Sequence, residues 1–152
     1  TAPSIFVRDG AQISASTNAS GAGGNVRLAA NQIEISGTTP NNQPPSIPGV
    51  ASQAASFNGI PPNSYLGGFI PTSNFPGPSG TQYPSGVFTQ TSAASTGAAG
   101  ALTIEAQQLT VQNQGAIAAT TFGTQSAGNI TIRGNSDPAS LANQVTLDNG
   151  SI

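Results

Sequence analysis

The sequence predicts an all-β fold: a β-solenoid of three to four coils, each built from about three short strands. Two observations lead there. Short alternating segments of β-branched residues sit between glycine and asparagine marks, and they recur at a fixed spacing. No stretch carries a convincing helical period.

The pattern is plainest in the stretch QNQGAIAATTFGTQSAGNITI, residues 112–132. Gly115 precedes the alternating Ile117 to Thr121, a small-residue loop runs to Gly128, and Asn129 introduces Ile130-Thr131-Ile132. The same order runs from Gly10 through Ile13–Thr17 to Gly24, Asn25 and Val26-Arg27-Leu28, and from Gly86 through Val87–Thr91 to Gly100 and Leu102-Thr103-Ile104. A further triplet type recurs as Ile5-Phe6-Val7, Ile33-Glu34-Ile35, Leu109-Thr110-Val111 and Val145-Thr146-Leu147. Gly100 to Gly128, Ile5 to Ile33 and Leu102 to Ile130 each span 28 residues. A period of this size signals coils that rest on their neighbours. Leu109 to Val145 exceeds the period by an eight-residue insertion around Asp137, and Gly24 to Gly100 exceeds it by a block of 48 residues.

Each element follows from strand alternation. In the first coil Ile5, Val7, Ile13 and Ala15 face inward while Phe6, Ser14 and Ser16 face outward. The turns after the second triplet carry Asp9, Asn113 and Asn149, residues that tolerate left-handed backbone and bond to their own turn. Asn25 and Asn129, each after a glycine, mark the other repeated turn. All five are read as structural turn positions. The third and fourth coils are the cleanest, with Leu102, Ile104, Leu109, Val111, Ile117 and Ala119 filling one layer. Ile130, Ile132, Val145, Leu147 and Ile152 fill the next. Outside, Glu105 and Arg133 occupy the same place in adjacent coils and are expected to form an exposed pair worth no more than about 1 kcal/mol. Thr103 over Thr131 and Thr110 over Thr146 are expected to form hydroxyl ladders.

Residues 1–152 read as a single domain, interrupted by an insertion over residues 38–85. Ten of the twelve prolines fall there, so the block cannot supply an inner strand. It also holds Phe57, Tyr65, Phe69, Phe75 and Tyr83, five of the eight aromatic residues. A loop this apolar covers the flank of its own solenoid, meets a neighbouring subunit or fibre, or offers a glycan or small-ligand surface. The five aromatics are the candidate contacts for a partner or glycan.

The composition excludes several function classes. With three arginines, no lysine and a net charge of −2, there is no basic patch for nucleic acid or an anionic membrane. No run of about 18 apolar residues could form a membrane span. The start Thr1-Ala2-Pro3 lacks the regions of a signal peptide, so the chain is expected to be mature, trimmed, or a piece of something longer. There is no cysteine or histidine, and Asp9, Glu34, Glu105, Asp137 and Asp148 scatter over different faces. No paired acid and base is expected, hence no enzyme, no cofactor and no metal site.

The runs GAQISAST, GNVRLAANQIEISG, PSGVFTQT, AGALTIEAQQLTVQNQGAI, TFGTQSAGNITI and VTLDNGSI resemble the repeats of large haemagglutinin-like exoproteins exported by two-partner secretion, especially the cyanobacterial ones. The resemblance covers nearly all of the chain outside the proline-rich block and the short insertion. It implies a right-handed parallel β-helix, an extracellular or outer-membrane-associated location, and a structural or adhesive role. The expected partners are copies of the chain stacked end to end, or the rest of a longer solenoid, because the first and last coils present open edges. A carbohydrate-binding module using the loop aromatics is the alternative function.

Overall fold

A computed structural model describes residues 2–17, 20–38, 84–91, 95–137 and 139–152. Among them every regular element is a strand: β1 Ala2–Arg8, β2 Gln12–Thr17, β3 Val26–Ser36, β4 Gly86–Thr91, β5 Leu102–Gln112, β6 Ala116–Thr121, β7 Ile130–Arg133 and β8 Gln144–Asp148. They make two parallel sheets. The larger runs β1-β3-β5-β7, with β8 also on β5, and the smaller runs β2-β4-β6.

The register is the one the spacing predicts. Ile5 pairs with Ile33, Ile33 with Leu109, and Leu109 with Val145. Leu102 pairs with Ile130. In the smaller sheet Ile13, Val87 and Ile117 are stacked in turn. A parallel register repeated this way places like side chains over one another, and those facing inward from both sheets meet in a single core. It contains Val7, Ile33, Ile35, Val87, Leu102, Ile104, Leu109, Val111 and Ile117. Each aliphatic side chain fully buried there contributes roughly 1.5–3 kcal/mol.

One feature differs from the expectation of three short strands. The first two predicted segments of a repeat merge into the single eleven-residue strands β3 and β5. Alternation slips by one residue inside them: Ala30 and Ile33 are buried while Asn31 and Gln32 are both exposed, and Gln107-Gln108 break the pattern between buried Ala106 and Leu109. Two consecutive outward residues between halves that face the same core require the sheet to turn a corner there. In the fourth repeat the short insertion falls at this corner and separates the halves into β7 and β8.

The turns repeat as closely as the strands. Asp9, Asn113 and Asn149 adopt left-handed backbone with φ of 56°, 50° and 53°, and Gly37 holds the matching place at 82°. Only the last turn is a residue shorter, so that Ser151 bridges Ala116. Gly37 is also where the long insertion departs. Thr38 bridges Pro84, the Ser85 amide donates to the Gly37 carbonyl at 2.8 Å, and the Gly86 amide donates to the Ala11 carbonyl at 3.0 Å. The two ends of the insertion therefore meet at one turn, and the repeat resumes in frame.

At the opposite turn the repeats approach closely. A side chain on Gly100 would run into the Gly24 carbonyl, and one on Gly128 into the Gly100 carbonyl. This column needs glycine for backbone proximity. Burial is uneven along the smaller sheet: β4 is buried on both faces, including the outward Phe88 and Gln90, whereas Ser14 and Ser16 in β2 are exposed.

Candidate functional site

Because the strands are parallel and in register, outward side chains form columns that cross the repeats. Two are ionic. Arg27 Nε donates to Glu105 Oε1 at 3.0 Å and its Nη2 to Oε2 at 2.6 Å, while Arg133 Nε donates to Oε1 at 3.1 Å from the other side. Glu105 is thus clamped between two guanidinium groups, and at 6% exposure it is a buried carboxylate rather than the expected exposed partner. Hydrogen bonds from Arg27 first and Arg133 second lower its pKa to about 2. Those same bonds to Glu105 hold the pKa of Arg27 above its ordinary value.

The second ionic column is diagonal. Arg8 donates to both oxygens of Glu34, at 3.0 and 2.6 Å, and stands 4.4 Å from the centre of the Phe6 ring. Ser36 and Gln112 donate to the same carboxylate at 3.1 and 3.4 Å. Glu34 is accordingly held below the usual carboxylate range, chiefly by the Arg8 hydrogen bonds and against the opposing effect of burial. Both glutamates are therefore ionised structural anions, poorly suited to donate or take up a proton near neutral pH.

The threonine columns are in register, Thr103 on Thr131 and Thr110 on Thr146, but their hydroxyls do not bond to each other. Hydroxyl pairs form elsewhere, across the smaller sheet between Thr91 and Thr121 at 2.7 Å and within β2 between Ser14 and Ser16 at 2.8 Å. This corrects the expected ladders, since all four hydroxyls are at least partly exposed and water can serve as their partner.

A third set of columns consists of carboxamides at the corner. Gln32, Gln108 and Gln144 are paired in register across three repeats. Asn31, Gln107 and Asn143 stand beside them. The Asn143 amide donates to the Gln107 carbonyl at 2.8 Å, and its side chain Nδ2 to Gln107 Oε1 at 2.9 Å. The short insertion folds against this corner: Gln107 Nε2 donates to Ser136 Oγ at 3.0 Å and Asn135 Nδ2 to Asn31 Oδ1 at 2.7 Å. Its own turn is tied by Asp137, whose Oδ1 accepts from the Ala139 amide at 2.8 Å.

Of the residues singled out in the sequence, Asp9, Asn113 and Asn149 lie at the left-handed turn. Asn25 works differently, its Oδ1 accepting from the Ala101 amide of the next repeat at 2.8 Å. The Asn129 carbonyl accepts from the Leu102 amide at 2.8 Å. Phe57, Tyr65, Phe69, Phe75 and Tyr83 lie outside the described residues. Among the described residues no three acidic groups are gathered to hold a metal ion, and no helix is long and apolar enough to cross a membrane. Sequence reasoning missed Arg27 as the second clamp on Glu105, since its offset of 78 residues is hidden by the long insertion. It also passed over the corner, although Asn31-Gln32, Gln107-Gln108 and Asn143-Gln144 each precede an aliphatic triplet.

Comparison with protein-family models, with curated proteins and with solved structures returns no match.

Proposed function

We propose that the chain is a right-handed parallel β-helix of about three strands per coil that serves as non-enzymatic structural or adhesive material outside the cell, as a segment or protomer of a haemagglutinin-like surface fibre. The observation that carries this reading is an apolar interior that does not stop at the outermost repeat. Val145 and Leu147 continue the buried columns of Leu109 and Val111, and Ile152, next to the Ser151 that bridges Ala116, follows Ile117, yet all three are exposed. Parallel strands with an open apolar face and unpaired edge groups gain stability from another repeat of the same kind. Ionisable groups committed to arginine clamps support a structural role over a catalytic one, and the sparse charge suits close axial stacking. The resemblance of the repeats to haemagglutinin-like exoproteins supports the extracellular location.

Electron microscopy and fibre diffraction of the purified protein test this. Rods or fibres with a reflection near 4.8 Å along their axis are expected, the spacing of strands that run across it. Compact particles that neither elongate nor align at any concentration would contradict it.

A further inference from the structure

The carboxamide corner is more than a seam. Pro3, Asn31, Gln32, Gln107, Gln108 and Asn143 line a groove of about 480 Å³ that opens to solvent. Its size falls within the range of about 300–1,000 Å³ usual for small-ligand sites, but its lining is polar instead of apolar. None of those six residues is charged. The ionic columns on either side, Glu105 with Arg27 and Arg133, and Glu34 with Arg8, have their charges committed to each other.

The two carboxamide columns differ in a way that matters for binding. Asn31, Gln107 and Asn143 are braced, through Asn135, Ser136 and one another, so their amide planes are held in place. The side chains of Gln32, Gln108 and Gln144 make no hydrogen bond among the described residues, and all three are exposed. A braced column beside an open one is a fixed wall flanked by free donors and acceptors. Each carboxamide offers an N–H and a carbonyl oxygen side by side. A hydroxyl is likewise both donor and acceptor, so neighbouring hydroxyls on a sugar ring satisfy a carboxamide at both atoms. Charged ligands would find no counter-ion here, and apolar ligands would strand the amides without partners.

We propose that this groove binds a neutral, hydroxyl-rich glycan, lying along the columns so that successive sugar rings meet successive repeats. The strand spacing of about 4.8 Å is close to the length of one pyranose ring. The short insertion, which supplies Asn135 and Ser136, is then the element that shapes the wall. This proposal is independent of the stacking that carries the structural role.

Affinity electrophoresis of the whole chain in gels containing soluble β-glucan, dextran or alginate tests it. At least one of the two neutral polysaccharides is expected to retard the protein, and anionic alginate is not. The double variant Gln32→Ala/Gln108→Ala should weaken that retention about tenfold, the loss of one or two hydrogen bonds, with an unchanged circular dichroism spectrum because both side chains are exposed and unbonded. Gln108→Glu, which keeps the size of the side chain, should weaken it too. Retention by alginate alone, by no polysaccharide, or undiminished in both variants would overturn the proposal.

Discussion

β5 and β8 carry nearly the same sequence pattern and meet opposite fates. Leu109 and Val111 in β5 are wholly buried, whereas Val145 and Leu147, their register partners in β8, remain 45% and 54% exposed. The difference is the number of neighbours. β5 lies between β3 on one side and β7 with β8 on the other, while β8 pairs with β5 alone. A repeat of this kind cannot bury its apolar face by itself. Its stability is the sum of what it shares with the repeats above and below.

The sharpest way to break that comparison is at the glycine column. Gly100→Ala drives a methyl group into the Gly24 carbonyl and should cost about 3 kcal/mol or more, or prevent folding. Gly24→Ala meets only the Ala15 side chain at 3.6 Å, an ordinary contact, and should unfold within about 0.5 kcal/mol of wild type. Urea denaturation of the two variants measures the contrast. Equal effects would mean that the repeats are not packed through this column.

Next in size is the aliphatic pair. Leu109→Ala removes a fully buried side chain between two repeats and should cost about 2–5 kcal/mol. Leu147→Ala removes one that is half in water in the single chain and, at concentrations low enough to keep chains apart, should cost under about 1 kcal/mol. If Leu147→Ala proved as damaging as Leu109→Ala, β8 would already be covered in solution.

Acid distinguishes the clamped carboxylate from the others. The Glu105 pKa is lowered on folding, so its contribution is present above the ordinary carboxylate range near 4.5 and is lost as the pH falls through about 2. Thermal melting should therefore fall steeply between those values in the wild type. The slope should be shallower in Glu105→Gln, which has no carboxylate to protonate, and an identical slope would remove the clamp from the stability of the fold. The smallest effect belongs to Arg8→Ala on the exposed diagonal pair, whose melting temperature should stay close to that of the wild type in the same assay.

What could be read from the sequence divides along physical lines. The 28-residue spacing set the register of β5 on β7 and hence the Glu105–Arg133 pair, because stacking in parallel sheets is a matter of counting. Turn chemistry was equally plain, since Asp and Asn at the left-handed position announce themselves. The corner was not, because a one-residue slip inside an unbroken strand looks like continued alternation with two polar residues in the middle. Arg27 and Arg8 reach their glutamates diagonally, and a diagonal reach follows from side-chain length, which spacing does not encode. The burial of Glu105 depends on being flanked by arginines on both sides, a property of the stack that no single repeat contains.

The most direct measurement of the stacking claim is sedimentation velocity over a range of concentrations, comparing the wild-type chain with Leu147→Lys. Wild type should shift to larger species as concentration rises, and the lysine, placed on the open apolar face, should hold the chain near its mass of 15.0 kDa. A wild type that stays at that mass throughout and sediments like the variant would contradict it.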